Sequence, residues 1–223
     1  MNNNDLAANV LQQRSTPDLI ADALRTAILR GTYESGQSLR QDEIATQYGV
    51  SRIPVREALR QLEAEGLVTL HLNRGAIVSV LTSAEAQEIY EIRSALEVKA
   101  LELAIPKLSK SDLEKATVIQ EAIEQTTDAA NLTQLNWEFH ATLYAKAERP
   151  RLLTMIRMLH INVDRYVRMQ MAQMDDLEPQ KEHYQILAAC YQRDTEVAVN
   201  LLKTHIDSEG EQLVIYLQQK TKT

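Results

Sequence analysis

The sequence predicts a mainly α-helical chain in two parts: a compact N-terminal region of short helices closed by a small β-hairpin, then an all-α bundle of six helices. Three observations predict it. Five of the six glycines (Gly31, Gly36, Gly49, Gly66, Gly75) fall in the first 75 residues, so short elements joined by tight turns give way to long uninterrupted helices. Apolar residues recur at helical spacing in both parts. β-Branched residues gather in two short runs, Leu67–Leu70 and Ala76–Val80, flanking Asn73-Arg74-Gly75, which is the signature of a hairpin turn.

The elements follow in order. Residues 1–16 form a polar arm, 17–82 the first domain and 83–223 the second. Thr16 supplies an N-cap and Pro17 a first helical position for a helix carrying Leu19, Ile20, Ala23, Leu24, Ala27 and Ile28 up to Gly31. A short helix from Gln41 to Tyr48 turns its Ile44 and Ala45 inward. Gly49-Val50-Ser51 makes a turn, Ser51 caps a third helix running to Glu65, and Pro54 sits in its first turn, where a missing N–H costs nothing. The six helices of the second domain are expected over 84–105, 109–127, 131–147, 149–174, 178–192 and 195–219. Ser83, Ser109, Ser111 and Thr195 are their candidate caps, and Pro106, Pro150 and Pro179 mark breaks.

Composition excludes several classes of protein. The 223 residues are 44% hydrophobic, enough to build real cores. No apolar run reaches 18 residues and the N-terminus lacks a charged and hydrophobic leader, so neither a membrane span nor a secretory signal is expected. A lone Cys190 forms no internal disulfide and fits a reducing, cytoplasmic setting. The formal net charge is −7, so any grip on nucleic acid must come from a local basic patch.

Such a patch is present. In the third helix Val55, Leu59 and Leu62 form a buried stripe, while Arg52, Arg56 and Arg60 fall four apart on another face with only Glu57 nearby. Guanidinium groups in that row suit phosphates and guanine edges, both of which accept bidentate contacts. Taken alone, the row also fits a solvated charged face. Together with the turn and the hairpin it describes a winged helix-turn-helix, whose third helix enters the major groove.

The residues that carry this reading also resemble a known family. Leu39-Arg40-Gln41-Asp42-Glu43-Ile44-Ala45, Gly49-Val50-Ser51-Arg52-Ile53-Pro54-Val55-Arg56-Glu57-Ala58-Leu59, Leu62-Glu63-Ala64-Glu65-Gly66-Leu67-Val68 and Asn73-Arg74-Gly75 resemble the DNA-binding domain of GntR-family transcriptional regulators over about residues 17–80. That resemblance implies that Ser51, Arg52 and Arg56 contact DNA from the recognition helix. It also implies that Arg74 and Gly75 set the wing on the minor groove or backbone, and that Arg40 reaches a phosphate. Position 42 is acidic where some members carry a basic contact residue, so no operator sequence transfers.

The second domain carries histidines on apolar helix faces. Asn136 and His140 flank the stripe Leu132, Leu135, Phe139 and Leu143; His183 lies in register with Ile186, Leu187 and Cys190; His205 follows Leu201 and Leu202. Three imidazoles on three inward faces are satisfied either by separate hydrogen bonds or by one shared divalent metal. His160 falls on an inner face as well, which shows how readily one such histidine arises. Met155, Met158, Met169, Met171 and Met174 are expected as adaptable packing, dimer-contact or cavity residues.

Glu91-Ile92-Arg93 with Leu96-Glu97, then Phe139-His140, Glu182-His183 and His205-Ile206, resemble the landmarks of the FCD effector-binding domain of the FadR subfamily, and six helices place it nearer the VanR-like branch. The resemblance implies a divalent transition metal, zinc or nickel, held by one Asp and three His. Here His140, His183 and His205 match and the Asp position is Asn136, a weaker ligand. Neutral ligands would leave the metal's full charge to draw a small carboxylate effector, with Arg93 and Arg165 either pairing with that anion or serving as ordinary ion-pair residues.

The expected function is therefore a cytoplasmic, homodimeric, DNA-binding transcriptional repressor on a palindromic operator, responsive to a small organic acid and not an enzyme. Two alternatives are a structural DNA-binding protein that senses nothing and a metal-dependent hydrolase.

Overall fold

The computed structural model describes residues 15–71, 75–172 and 180–221. The arm up to residue 14, the wing turn with Arg74, and Met174 with the break at Pro179 lie outside the described residues. Contacts divide the chain into two compact units, Met1–Val80 and Leu81–Thr223.

In the first unit α1 (Thr16–Leu29) is capped by Ser15 rather than Thr16. The Ser15 hydroxyl accepts from the Asp18 amide while the Asp18 carboxylate accepts from the Ser15 N–H, a reciprocal box that residue 16 would leave unpaired. Strand β1 (Ser38–Leu39) leads into α2 (Gln41–Tyr48), which ends on Gly49 at φ 65°, a left-handed position that suits glycine. Helix α3 (Arg52–Ala64) follows from Ser51, which holds the N-cap position without making a side-chain cap bond. Val55, Ala58, Leu59 and Leu62 are buried along α3, as their spacing requires. Arg25 of α1 grips Glu65 with two 2.6 Å bonds, tying the first helix to the end of the third.

The expected hairpin of β2 (Val68–His71) and β3 (Gly75–Val78) is present, but it belongs to a three-stranded antiparallel sheet in the order β1-β3-β2. Ser38 pairs with Ile77 and Leu39 with Ala76, while Val68 pairs with Val78 and His71 with Gly75. A two-residue strand has no alternation to read, so only its tertiary partner defines it.

The second unit holds six α-helices among the described residues: α4 (Ser83–Ala104), α5 (Lys110–Gln125), α6 (Ala129–Tyr144), α7 (Pro150–Met171), α8 (Gln180–Gln192) and α9 (Thr195–Thr221). Short 3-10 turns, Ile105–Lys107 and Ala145–Ala147, follow α4 and α6. Thr82 caps α4 and Ser109 caps α5, each in a reciprocal box with the acidic residue three positions on. Asp128 accepts from the Asn131 amide at the start of α6, and Asp194 accepts from the Val197 amide at the start of α9. α9 lies along α4, α8 packs on α9 and α5, and α7 packs on α4 and α6. The core they enclose is built from residues such as Leu101, Leu113, Phe139, Leu143, Ile186, Leu202 and Leu213.

Candidate functional site

In the first unit Arg52, Arg56 and Arg60 are all exposed on α3, on a face that flanks its buried stripe. Ser51 is exposed at the N-terminal end of the same helix, where backbone N–H groups favour an anion. A concavity of about 890 Å³ is lined by Arg40, Asp42, Glu43, Arg52 and Gly75 among others, so α2, α3 and the edge of the wing share one face. Gly75 adopts φ 75°, and a Cβ there would meet the Leu39 carbonyl oxygen at 3.2 Å; its place is set by the strand pairing.

The row of arginines is less bare than its sequence suggests. Besides Glu57, which lies 3.3 Å from Arg60 and 4.0 Å from Arg56, the Arg52 guanidinium is paired with Asp42 of α2, and Arg40 lies 3.5 Å from Glu43. The turn at Gly49 brings the two helices together, a proximity that residues ten apart do not announce. These pairs are exposed and weak, so phosphate can displace the carboxylates.

In the second unit His140 of α6, His183 of α8 and His205 of α9 converge, one ring nitrogen of each lying within 4.8 Å of the others. All three are buried. Each turns its Nδ1 to a different partner. His183 Nδ1 donates to Gln120 Oε1 at 2.7 Å, His205 Nδ1 donates to Glu182 Oε2 at 2.6 Å, and His140 Nδ1 donates to Tyr144 Oη at 3.2 Å. The Tyr144 hydroxyl in turn donates to Glu97 Oε2 at 2.8 Å, and Arg93 Nε donates to Glu97 Oε1 at 2.8 Å.

These partners assign the tautomers. The Nε2 atoms of His140 and His183 carry lone pairs. His205 is doubly bonded to acceptors, and its Nε2–H faces His183 Nε2 and Glu209 Oε1, both at 3.3 Å. Burial drives the His183 pKa down to about 3, aided by the neighbouring His205, and burial with His183 and His205 alongside holds His140 well below its ordinary range. Burial also opposes charge on His205, but Glu209 and Glu182 outweigh it and raise the pKa to about 9. His140 Nε2 is buried with no hydrogen-bond partner among the described residues.

Those features fit a divalent transition metal: converging nitrogens, an orphaned buried lone pair, and an outer shell that fixes every ring by its other nitrogen. Asn136 is half-buried on α6, one turn before His140, its side chain making no hydrogen bond among the described residues.

Arg93 is buried, stacked on the Tyr90 ring at 4.5 Å, bonded to Glu97 and 3.7 Å from Glu209. Arg165 of α7 is buried too, but its Nε and Nη1 have no partner among the described residues. His160 stands outside the cluster, edge-on to Trp137 with centroids 5.0 Å apart. Met155 and Met158 are exposed on α7, whereas Met169 and Met171 pack against the core.

Several members of this network carry signals that the periodicity of apolar residues hides. Glu209 and Tyr144 lie one helical turn after His205 and His140, and Gln120 sits on the buried face of α5 beside Ile119 and Ile123. Polar residues at i+4 from an inward histidine are the visible trace.

A helix-turn-helix with a sheet-borne wing, followed by a helical bundle with a polar interior, is the architecture of DNA-binding transcriptional regulators rather than of enzymes. The chain belongs to the GntR family of bacterial regulatory proteins, whose model matches residues 17–78, and carries an FCD domain, matched over residues 88–208. It is 32% identical over 146 residues to the uncharacterized HTH-type transcriptional regulator YdhC of Bacillus subtilis, which covers 62% of this chain and 63% of that one. It is 35% identical over 140 residues to the gluconate operon transcriptional repressor of the same organism, covering 61% and 57% of the two chains. These matches thus span somewhat less than two thirds of either relative's length. A crystal structure of a GntR-family transcriptional regulator from Pseudomonas syringae pv. tomato is similar over 93% of this chain and 88% of that chain, with 37% identity and a TM-score of 0.61.

Proposed function

We propose that this chain is a transcriptional repressor in which residues 17–82 bind DNA and residues 83–223 bind an effector and form a homodimer. The observation that carries the reading is the exposed row Arg52, Arg56 and Arg60 on α3, flanking a fully buried stripe, with Arg52 sharing a concavity with Arg40 and Gly75. Ser51, Arg52 and Arg56 contact the major groove, Arg40 a phosphate, and Arg74 with Gly75 carry the wing. Two copies present two recognition helices to a palindromic operator, since one short helix buries too little surface to be selective. No helix among the described residues is long and apolar enough to cross a membrane, which supports a cytoplasmic setting.

In the bundle, His140, His183 and His205 would hold a divalent ion, zinc or nickel by donor type, with Asn136 as the position that the family likeness offers for a fourth ligand. When bound, the ion supplies a Lewis-acidic seat for a carboxylate. Arg165, whose Nε and Nη1 have no partner among the described residues, and Arg93, whose Nε is taken by Glu97 while its Nη2 makes no hydrogen bond among those residues, are the two buried cations that could pair with that carboxylate. Binding there shifts the placement of the two DNA-binding domains, a coupling of about 1–3 kcal/mol.

The test is binding to promoter fragments of the source genome, with a thermal-shift screen of metals crossed with small carboxylates, gluconate among them because one relative's operon carries that name. Specific binding that a stabilising acid weakens is the expected result. A chain that ignores every fragment at low ionic strength, with and without acids, overturns it. Binding that no acid alters points instead to a DNA-binding protein that senses nothing.

A further inference from the structure

We propose that Glu209 is the carboxylate ligand of the metal centre, supplying the charge that Asn136 cannot. The inference rests on the metal reading above and adds a residue to it. Glu209 lies one turn after His205 on α9, so the two side chains rise from the same face. Its Oε1 is 3.3 Å from His205 Nε2, the same separation as His183 Nε2 from that atom. One ring nitrogen therefore faces both the second histidine and a carboxylate oxygen. An ion that replaces the Nε2 proton of His205 enters between them.

The other oxygen of Glu209 faces a guanidinium at ion-pair distance. Arg93 Nη2 lies 3.7 Å from Oε2, and Arg93 is itself fixed by Glu97 and by the face of Tyr90. Arg93 is thus a positioning residue, orienting a liganding carboxylate as outer-shell groups commonly do. Asn136 has no such support: it is half-buried, its side chain making no hydrogen bond among the described residues. Three imidazoles and one carboxylate make a donor set for zinc or nickel whose net charge is one unit lower than three imidazoles alone would leave. An anionic effector then meets a centre of modest charge and needs a second cation, the role left to Arg165.

The experiment is zinc competition against a chromophoric chelator on the demetallated full chain, with cobalt absorption as a second readout. Glu209→Gln is expected to weaken zinc about 10–100-fold and to alter the cobalt spectrum, whereas Asn136→Ala stays within about twofold of wild type. The double variant Glu209→Gln/Asn136→Asp regains affinity. Glu209→Gln matching wild type in both readouts, or Asn136→Ala losing as much as Glu209→Gln, overturns the assignment while leaving the three-histidine site standing. Wild type and His140→Ala binding zinc equally weakly sinks the site itself and Glu209 with it. Should Glu209→Gln not fold, Asn136→Ala decides alone: an unchanged spectrum and affinity support Glu209, and a tenfold loss refutes it.

Discussion

Gly210 of α9 faces Tyr90 of α4 so closely that a Cβ on residue 210 would sit 2.7 Å from Tyr90 Cβ and 2.8 Å from its Cγ. These are rigid atoms near the backbone, so an added methyl can be accommodated only by moving a helix. Gly210→Ala is therefore expected to destabilise the second unit by about 1–3 kcal/mol despite alanine's better helix propensity. Thermal melting checks it: an unchanged or raised midpoint means the helices separate freely.

Arg52→Ala and Arg56→Ala should each cost about 1–3 kcal/mol of operator affinity if they read base edges. Asp42→Ala should act in the opposite direction, because it releases Arg52 from its carboxylate partner. Fluorescence anisotropy over a salt series measures both. Tighter DNA binding by Asp42→Ala is the expected outcome; weaker binding would show that Asp42 aids recognition.

Ser109 accepts from the Asp112 amide at 3.1 Å and donates to its carboxylate at 2.6 Å. Those bonds from Ser109, with Lys146 behind them, hold Asp112 below its ordinary value of 3.8. A lowered carboxylate contributes stability above its unfolded pKa and loses it as pH falls through the folded one. Ser109→Ala should thus lower the denaturant midpoint near neutrality, and the gap from wild type should narrow below pH 3.8. Denaturant midpoints at several pH values decide it; a gap that widens in acid contradicts the capping account.

Burial pushes the Cys190 thiol up to about 12, against a small opposing effect of Arg193. The folded chain should resist alkylation at pH 8 and react fully once unfolded in denaturant, as mass spectrometry would record. Rapid modification of the native chain would mean that α8 opens.

How much of this was legible beforehand varies by feature. Helix existence followed from periodicity, and Val55, Leu59 and Leu62 are buried as their spacing demanded. Helix starts were less readable where two capping residues stand side by side. At Ser15-Thr16, Thr82-Ser83 and Asp194-Thr195 the first of the pair is the cap, because its partner three residues on completes the bond. Strand β1 gave no pattern of its own.

By itself, the sequence determined the helical and hairpin elements, the arginine row and the inward set of three histidines, because each is written in residues near one another along the chain. Only the tertiary structure decided which groups share a point in space: Asp42 on Arg52, Gln120 behind His183, Glu209 between His205 and Arg93. Helical phase fixes the face on which a side chain lies, whereas its neighbour across the core depends on how the helices cross and slide, which no single helix encodes.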